Sequence, residues 1–282
     1  MKDNVLQRLD KLDIPHHAKK LFLVLHEASK QVGFGKISAR QEGYICGDLK
    51  LPRCTSILQM DGTKAGALME WAKRQVAERI FDELSKLATE GKYIGPDEID
   101  DACRLGLADP DRQKNEAADF GTGKHDNIEN YLMGYQYTQD ESLDRFKAAF
   151  DQLNMICVAT EIPLIWNDEN KHGFGGRMDL LLYSKEKDEW YIGDNKTSRS
   201  VHESYGCQVG AYKAAIEQMT YGELKIAGGV LFHIPDMNSL NERQKKEYDK
   251  RGSLVMLKNL EEAFEHYRLL LELYYKRNNK YF

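Results

Sequence analysis

The sequence predicts an α/β fold: a central mixed sheet flanked by helices in the order αβββαβ, preceded by a mainly helical N-terminal portion. Three observations carry this. A helical pattern over residues 140–153 gives way to the period-two stretch ICVATEIPLIW at 156–166. Two more strand-like runs, RMDLLLYS (177–184) and EWYIGDNK (189–196), flank the polar loop KEKD. A helix from about Ser200 to Met219 then leads into the apolar run KIAGGVLFHI.

In chain order, a first helix is expected from about Ile14 to Gly33, because Pro15 suits a first turn and Ala18, Leu21, Phe22 and Leu25 recur at helical spacing. The glycine-punctuated stretch from Phe34 to Pro52 reads as short strands. A long amphipathic helix follows from about Lys64 to Ala88, its stripe of Leu68, Met69, Ala72, Val76, Ile80, Leu84 and Leu87 expected in the core. Pro96 opens another helix, and a further one is expected from about Pro110 to Met133. Gly121 and Gly123 interrupt that one, since glycine costs a helix interior roughly 0.5–1 kcal/mol relative to alanine. Asp140 caps the next helix, with Leu143, Phe146, Phe150 and Leu153 inward. After the sheet, SLVML reads as a strand and the C-terminal stretch as a helix, while NERQKKEYDKR is polar enough for a solvated loop or exposed helix. The division expected is an N-terminal portion over 1–110 packed on a core over 111–282.

Composition narrows the function classes. Forty Lys and Arg against 45 Asp and Glu give a net charge of −5, so any nucleic-acid contact must be local. No apolar run has the roughly 18 residues of a membrane span, and MKDNVLQRLDKLD mixes acids and bases unlike a signal or transit segment. An intracellular, cytoplasmic protein with no membrane partner is expected. The five scattered cysteines show no C-x-x-C spacing, which argues against a disulfide framework or a zinc or iron–sulfur site.

The chemistry gathers at GDNK. Alternate strand residues share a face, so Asp194 and Lys196 project to one side, about 6–7 Å apart. If KEKD closes the hairpin, Asp179 falls opposite Asp194. Opposed carboxylates destabilise a sheet unless something positive lies between them. A hard divalent cation, Mg²⁺ or Mn²⁺, would supply it and draw in a water and a phosphate oxygen. Lys196 would then orient or help deprotonate the water and offset charge developing on phosphorus. Taken alone, Asp-x-Lys equally describes an exposed strand salt bridge, but Trp190 and Ile192 make this strand read as buried.

The segments EIPL, GFGGRMD, GDNKTS and QVGAY, with the helix segment KHDNIENYL upstream, resemble the successive motifs of the PD-(D/E)XK nuclease superfamily, specifically its RecB-type exonuclease branch. That resemblance implies a restriction-endonuclease-like core. It implies a metal site of His125, Asp179, Asp194 and the backbone carbonyl of Asn195, with Lys196 as catalytic lysine and Glu161 in support. Gln208 and Tyr212, four residues apart on one helix face, would hold either the DNA backbone or the Lys196 strand. Upstream, LPRCTSIL and ALMEWA are similar to a pattern of mitochondrial genome maintenance exonucleases and phage relatives, from which Arg53 and Cys54 depart.

By proximity to the motifs, Lys171, Arg177, Arg199 and Lys213 are candidate DNA contacts. His16, His17, His26, His172 and His233 read as polar neighbours. The expected function is a metal-dependent deoxyribonuclease hydrolysing phosphodiester bonds from free ends of single-stranded DNA, in replication, repair or recombination. The alternatives are a non-catalytic DNA-binding module of a repair assembly, or a double-strand-specific or endonucleolytic enzyme of the same superfamily. No G-x-x-x-x-G-K-[ST] loop occurs, so unwinding would need a helicase or recombination partner.

Overall fold

A computed structural model of the chain describes residues 2–39 and 41–278. It divides into two compact units, one of Met1–Met60 with Lys124–Phe282 and one of Asp61–Gly123. The boundary expected near residue 110 falls inside a helix. Among the described residues, no helix is long and apolar enough to cross a membrane.

The larger unit begins with α1 (Lys2–Lys11) and α2 (His16–Ser29). Pro15 stands at the α2 N-cap, and Gly33, expected to end this helix, starts a strand instead. Strands β1 (Gly33–Ser38), β2 (Gln41–Cys46) and β3 (Leu49–Leu51) form an antiparallel meander, followed by the short helix α3 (Cys54–Leu58).

The smaller unit holds α4 (Thr63–Thr89) and the first part of α5 (Pro96–Met133). Gly106 lets the two helices approach, since a Cβ there would stand 2.5 Å from Ile80 Cγ1. The expected core stripe of α4 is therefore only partly realised. Val76 and Ile80 face that contact, whereas Leu68 and Met69, two turns earlier, are 60% and 62% exposed. The two expected helices over 96–133 are one, running through Pro110, Gly121 and Gly123. Pro110 removes one helical hydrogen bond. Nearby, the buried Asp109 accepts from Arg112 at 2.9 Å and from Gln113 at 2.6 Å, which braces the same turn.

The rest of the chain builds the main sheet. α6 (Glu141–Asp151) is capped by Asp140, whose Oδ1 accepts from the Leu143 N–H at 2.9 Å. Then follow β4 (Ile156–Asn167), β5 (Gly173–Ser184), β6 (Glu189–Lys196), α7 (Glu203–Met219), β7 (Ile226–His233), α8 (Glu242–Arg251), β8 (Leu254–Leu257) and α9 (Leu260–Asn278). The five strands lie in chain order and pair antiparallel except β6 with β7, which makes the sheet mixed. The polar run at 241–251 is an exposed helix opened by an Asn241–Gln244 capping box.

Helices cover both faces of the sheet. Val209, Tyr212 and Ile216 of α7 and Tyr267 and Leu271 of α9 join Ile162, Leu164, Phe174, Met178 and Ile192 in one apolar cluster. Ile128 of α5 with Leu143 and Phe146 of α6 join Leu180, Leu182, Val230 and Phe232 in the other. The β5–β6 ladder runs from Ser184↔Glu189 to Leu180↔Gly193 and stops there. Beyond that point β5 stays with β4 and β6 stays with β7, so the sheet forks. Asp179 and Asp194 are the first residues past the fork.

Candidate active site

The hairpin register matches the one expected from KEKD, but Asp179 and Asp194 do not close a ladder pair. Instead the Asp179 side chain takes the place of a backbone acceptor, its Oδ2 receiving the Asn195 N–H at 2.8 Å. One strand thereby grips the other through a carboxylate. α5 delivers His125 to the same atom, with Nδ1 3.3 Å from Asp179 Oδ2.

Glu161 enters from β4 by way of a local break in the strand. Its φ is +52°, a left-handed conformation that costs an ordinary residue roughly 1–2 kcal/mol. The neighbouring pairs Thr160↔Leu180 and Ile162↔Met178 place it beside Asp179. One donor atom each from His125, Glu161 and Asp179 lies within 4.8 Å of the others. Sequence reasoning placed Glu161 in a supporting role, whereas its carboxylate stands in this donor cluster. Burial, and then the charge of Asp179, pushes the Glu161 carboxyl up to about 7, with Arg177 at 3.4 Å opposing.

Asp194 is fully buried, and its oxygens receive no hydrogen bond of good geometry. Lys196 Nζ stands 2.5 Å from its Oδ2 as an ion pair. Burial raises the Asp194 carboxyl to about 6, Lys196 opposes that rise, and Asp179 adds to it. Burial works against the Lys196 ammonium, but Asp194 and Asp179 outweigh it and hold its pKa above the ordinary lysine value. A buried carboxylate with unsatisfied oxygens is costly. His125, Glu161 and Asp179 form a donor set that fits a hard divalent cation, while Asp194, paired with Lys196, lies outside that cluster.

Lys196 is held from two further sides. Its Nζ donates to Gln208 Oε1 at 3.2 Å, and Gln208 Nε2 donates to the Tyr212 hydroxyl at 3.0 Å. Both α7 residues are buried, so in this arrangement they face the lysine and not solvent. Gly176 makes room for the relay, because a Cβ there would lie 2.4 Å from Tyr212 Cε1. The Tyr205 ring packs 5.0 Å from Lys196 Nζ, a cation–π contact not foreseen in the sequence. Glu129, which accepts from Thr160 Oγ1 at 2.9 Å, was also missed, although it sits one turn from His125.

The basic residues divide. Arg177, Arg199 and Lys171 are exposed. Lys213, paired with Glu217 at 2.7 Å and Glu261 at 3.2 Å, is withdrawn from solvent, whereas Arg177, paired with Glu161 at 3.4 Å, keeps an exposed side chain. Among the other histidines, His172 stacks on Tyr275, His26 stacks on Phe22, and His17 pairs with Asp188.

The family profile that describes the PD-(D/E)XK nuclease superfamily matches residues 74–274. Among curated proteins, none matches the chain.

Proposed function

From the chain's place in the PD-(D/E)XK nuclease superfamily, to which it belongs, we propose that it is a metal-dependent DNA exonuclease of the RecB type. It hydrolyses phosphodiester bonds from free ends of single-stranded DNA during replication, repair or recombination. The observation that carries the catalytic part of this reading is the fork. His125, Glu161 and Asp179 cluster at one half-buried point, and past the same fork Asp194 holds a cationic Lys196. The end-directed mode and the RecB assignment rest on the order of the sequence motifs, including His125 ahead of the sheet. Duplex substrates would be opened by a helicase or recombination partner.

In this reading His125, Asp179 and Asp194 hold Mg²⁺ or Mn²⁺ with the Asn195 carbonyl, and Glu161 joins or supports them. When bound, the ion supplies Lewis acidity toward a phosphate oxygen and acidifies water. The protein's own groups do the remainder. Lys196 stays protonated beside Asp194, so it acts as a donor that fixes a water or phosphate oxygen and offsets developing negative charge. Gln208 and Tyr212 hold the ammonium in place. Arg177 and Arg199 are available to contact backbone phosphates, and Lys213, Gln208 and Tyr212 act behind the site by anchoring α7 and Lys196.

The test is cleavage of end-labelled linear single strands, blunt duplexes and closed circles with Mg²⁺ or Mn²⁺, by the parent and by Lys196→Ala. Mononucleotides released from linear single strands, with circles intact and the variant reduced by about a hundred- to a thousandfold, are expected. Cut circles would overturn the exonuclease mode. Parental activity in a folded Lys196→Ala protein would overturn the site.

A further inference from the structure

The β1–β3 sheet meets the main sheet beside the fork. The Gly175 N–H donates to the Pro52 carbonyl at 2.8 Å, and Arg53 forms a parallel bridge with Gly175. Tyr44 of β2 fills the space where Gly175 lacks a side chain, since a Cβ there would stand 2.2 Å from Tyr44 Cβ. Arg177 lies two residues along β5 on the same face as Gly175, about 7 Å further, and reaches Glu161 at 3.4 Å. Tyr44 thus connects the meander to the donor cluster.

On the outer side of Tyr44 stands Phe34, its cross-strand partner, at a ring-centroid distance of 5.3 Å and edge-on. Phe34 is 47% exposed. The Arg53 guanidinium lies 4.7 Å from the Phe34 centroid and is held there by Glu42 at 3.0 Å. In a protein of net charge −5, this places a solvent-facing aromatic ring and two arginines around Tyr44, with Arg177 in turn paired to Glu161.

We propose that this face of the β1–β3 meander is a stacking platform for single-stranded DNA, with a base seated on Phe34 and the flanking phosphates held by Arg53 and Arg177 on the way to the cleavage site. The inference rests on the nuclease reading and adds the substrate path to it. Aromatic rings interleaved with cations suit a single strand because every unpaired base offers a π-face, whereas duplex bases hide theirs in the stack. A phosphate oxygen can take the place on the Arg53 guanidinium that Glu42 Oε2 now holds.

The experiment measures fluorescence anisotropy of an end-labelled single-stranded oligonucleotide in EDTA, where nothing is cut, alongside cleavage kinetics with Mg²⁺ or Mn²⁺. Phe34→Ala should weaken binding about tenfold and raise KM by a similar factor with kcat nearly unchanged, and Phe34→Trp should restore both. Arg53→Ala should lower the slope of log affinity against log salt by about 0.7, the value for one phosphate contact on a single strand. Since Phe34 and Arg53 are half exposed, these variants test the surface without opening the core.

Parental affinity and KM in Phe34→Ala, with the parent active, would overturn the platform and leave the nuclease reading standing. Equal loss of affinity for a blunt duplex would overturn its single-strand character. A parent that neither binds nor cuts DNA would overturn the nuclease reading and the platform with it.

Discussion

Asp179 performs three tasks with one carboxylate: it accepts from the Asn195 N–H, faces His125, and raises the Glu161 carboxyl. Only the first is a folding interaction that an amide can reproduce. The others load negative charge into a half-buried point and become favourable when a cation is present. Asp179→Asn should therefore melt no lower than the parent in EDTA, because repulsion with Glu161 and Asp194 is relieved. Adding Mg²⁺ or Mn²⁺ should raise the parental Tm in a concentration-dependent manner and move the variant far less. Equal metal-induced shifts in thermal scans of the two proteins would remove Asp179 from the metal site.

At the scale of elements, the fork is made by what each strand does once the β5–β6 ladder stops. β5 leans on α7 through a gap left by Gly176, and α7 uses that contact to aim Gln208 at Lys196. Gly176→Ala would press a methyl into the Tyr212 ring. Overpacking of this kind costs about 1–3 kcal/mol, and the relief available to Tyr212 is to swing away and carry its hydrogen bond from Gln208 with it. The expected result is a modestly lowered Tm with a drop in kcat of about tenfold or more and little change in KM. A kcat equal to the parent's would show that the relay does not position Lys196.

Some of these features are legible in the sequence and others are not. The hairpin register was readable because KEKD is a four-residue turn that fixes pairing locally. The fork was not, since strand divergence depends on what packs against each strand. Glu161 was assigned a secondary place because its left-handed backbone is invisible in a period-two pattern. α5 continues through Pro110 and two glycines, with Gln113 donating to Asp109 in its own turn and to Gln75 of α4, contacts that override local propensity. Arg53 looked only like a departure from a motif, and its meaning lies in Phe34, 19 residues earlier and brought close by the meander.

Across the whole molecule, His233 ties β7 to the end of β6 and to α8. It lies on β7 level with Lys196 of β6, its Nε2 donates to the Ser198 carbonyl at 2.7 Å, and its Nδ1 accepts from Arg251 of α8 at 2.9 Å. These contacts need the neutral ring, and a proton on Nδ1 would face a guanidinium. Burial first, and Arg251 next among the lowering influences, depresses its pKa from 6.5 to about 4, against the Ser198 hydrogen bond. A histidine depressed in the folded state contributes stability that is fully present above pH 6.5 and lost as pH falls toward about 4, because the unfolded chain takes up the proton first. That shift corresponds to at most about 3 kcal/mol. Without metal, Glu161 and Asp194 act in the opposite sense, since their raised pKa values mean that ionisation costs stability and acid relieves it. A single pH profile of the parent would mix the two. Urea midpoints for the parent and His233→Gln, both in EDTA at pH 7.5 and 5.5, separate them because the carboxylates contribute equally to each. The parent should lose more stability than the variant on acidification, by about 1 kcal/mol over that interval. Identical losses would show that His233 is not the neutral tie between β6, β7 and α8.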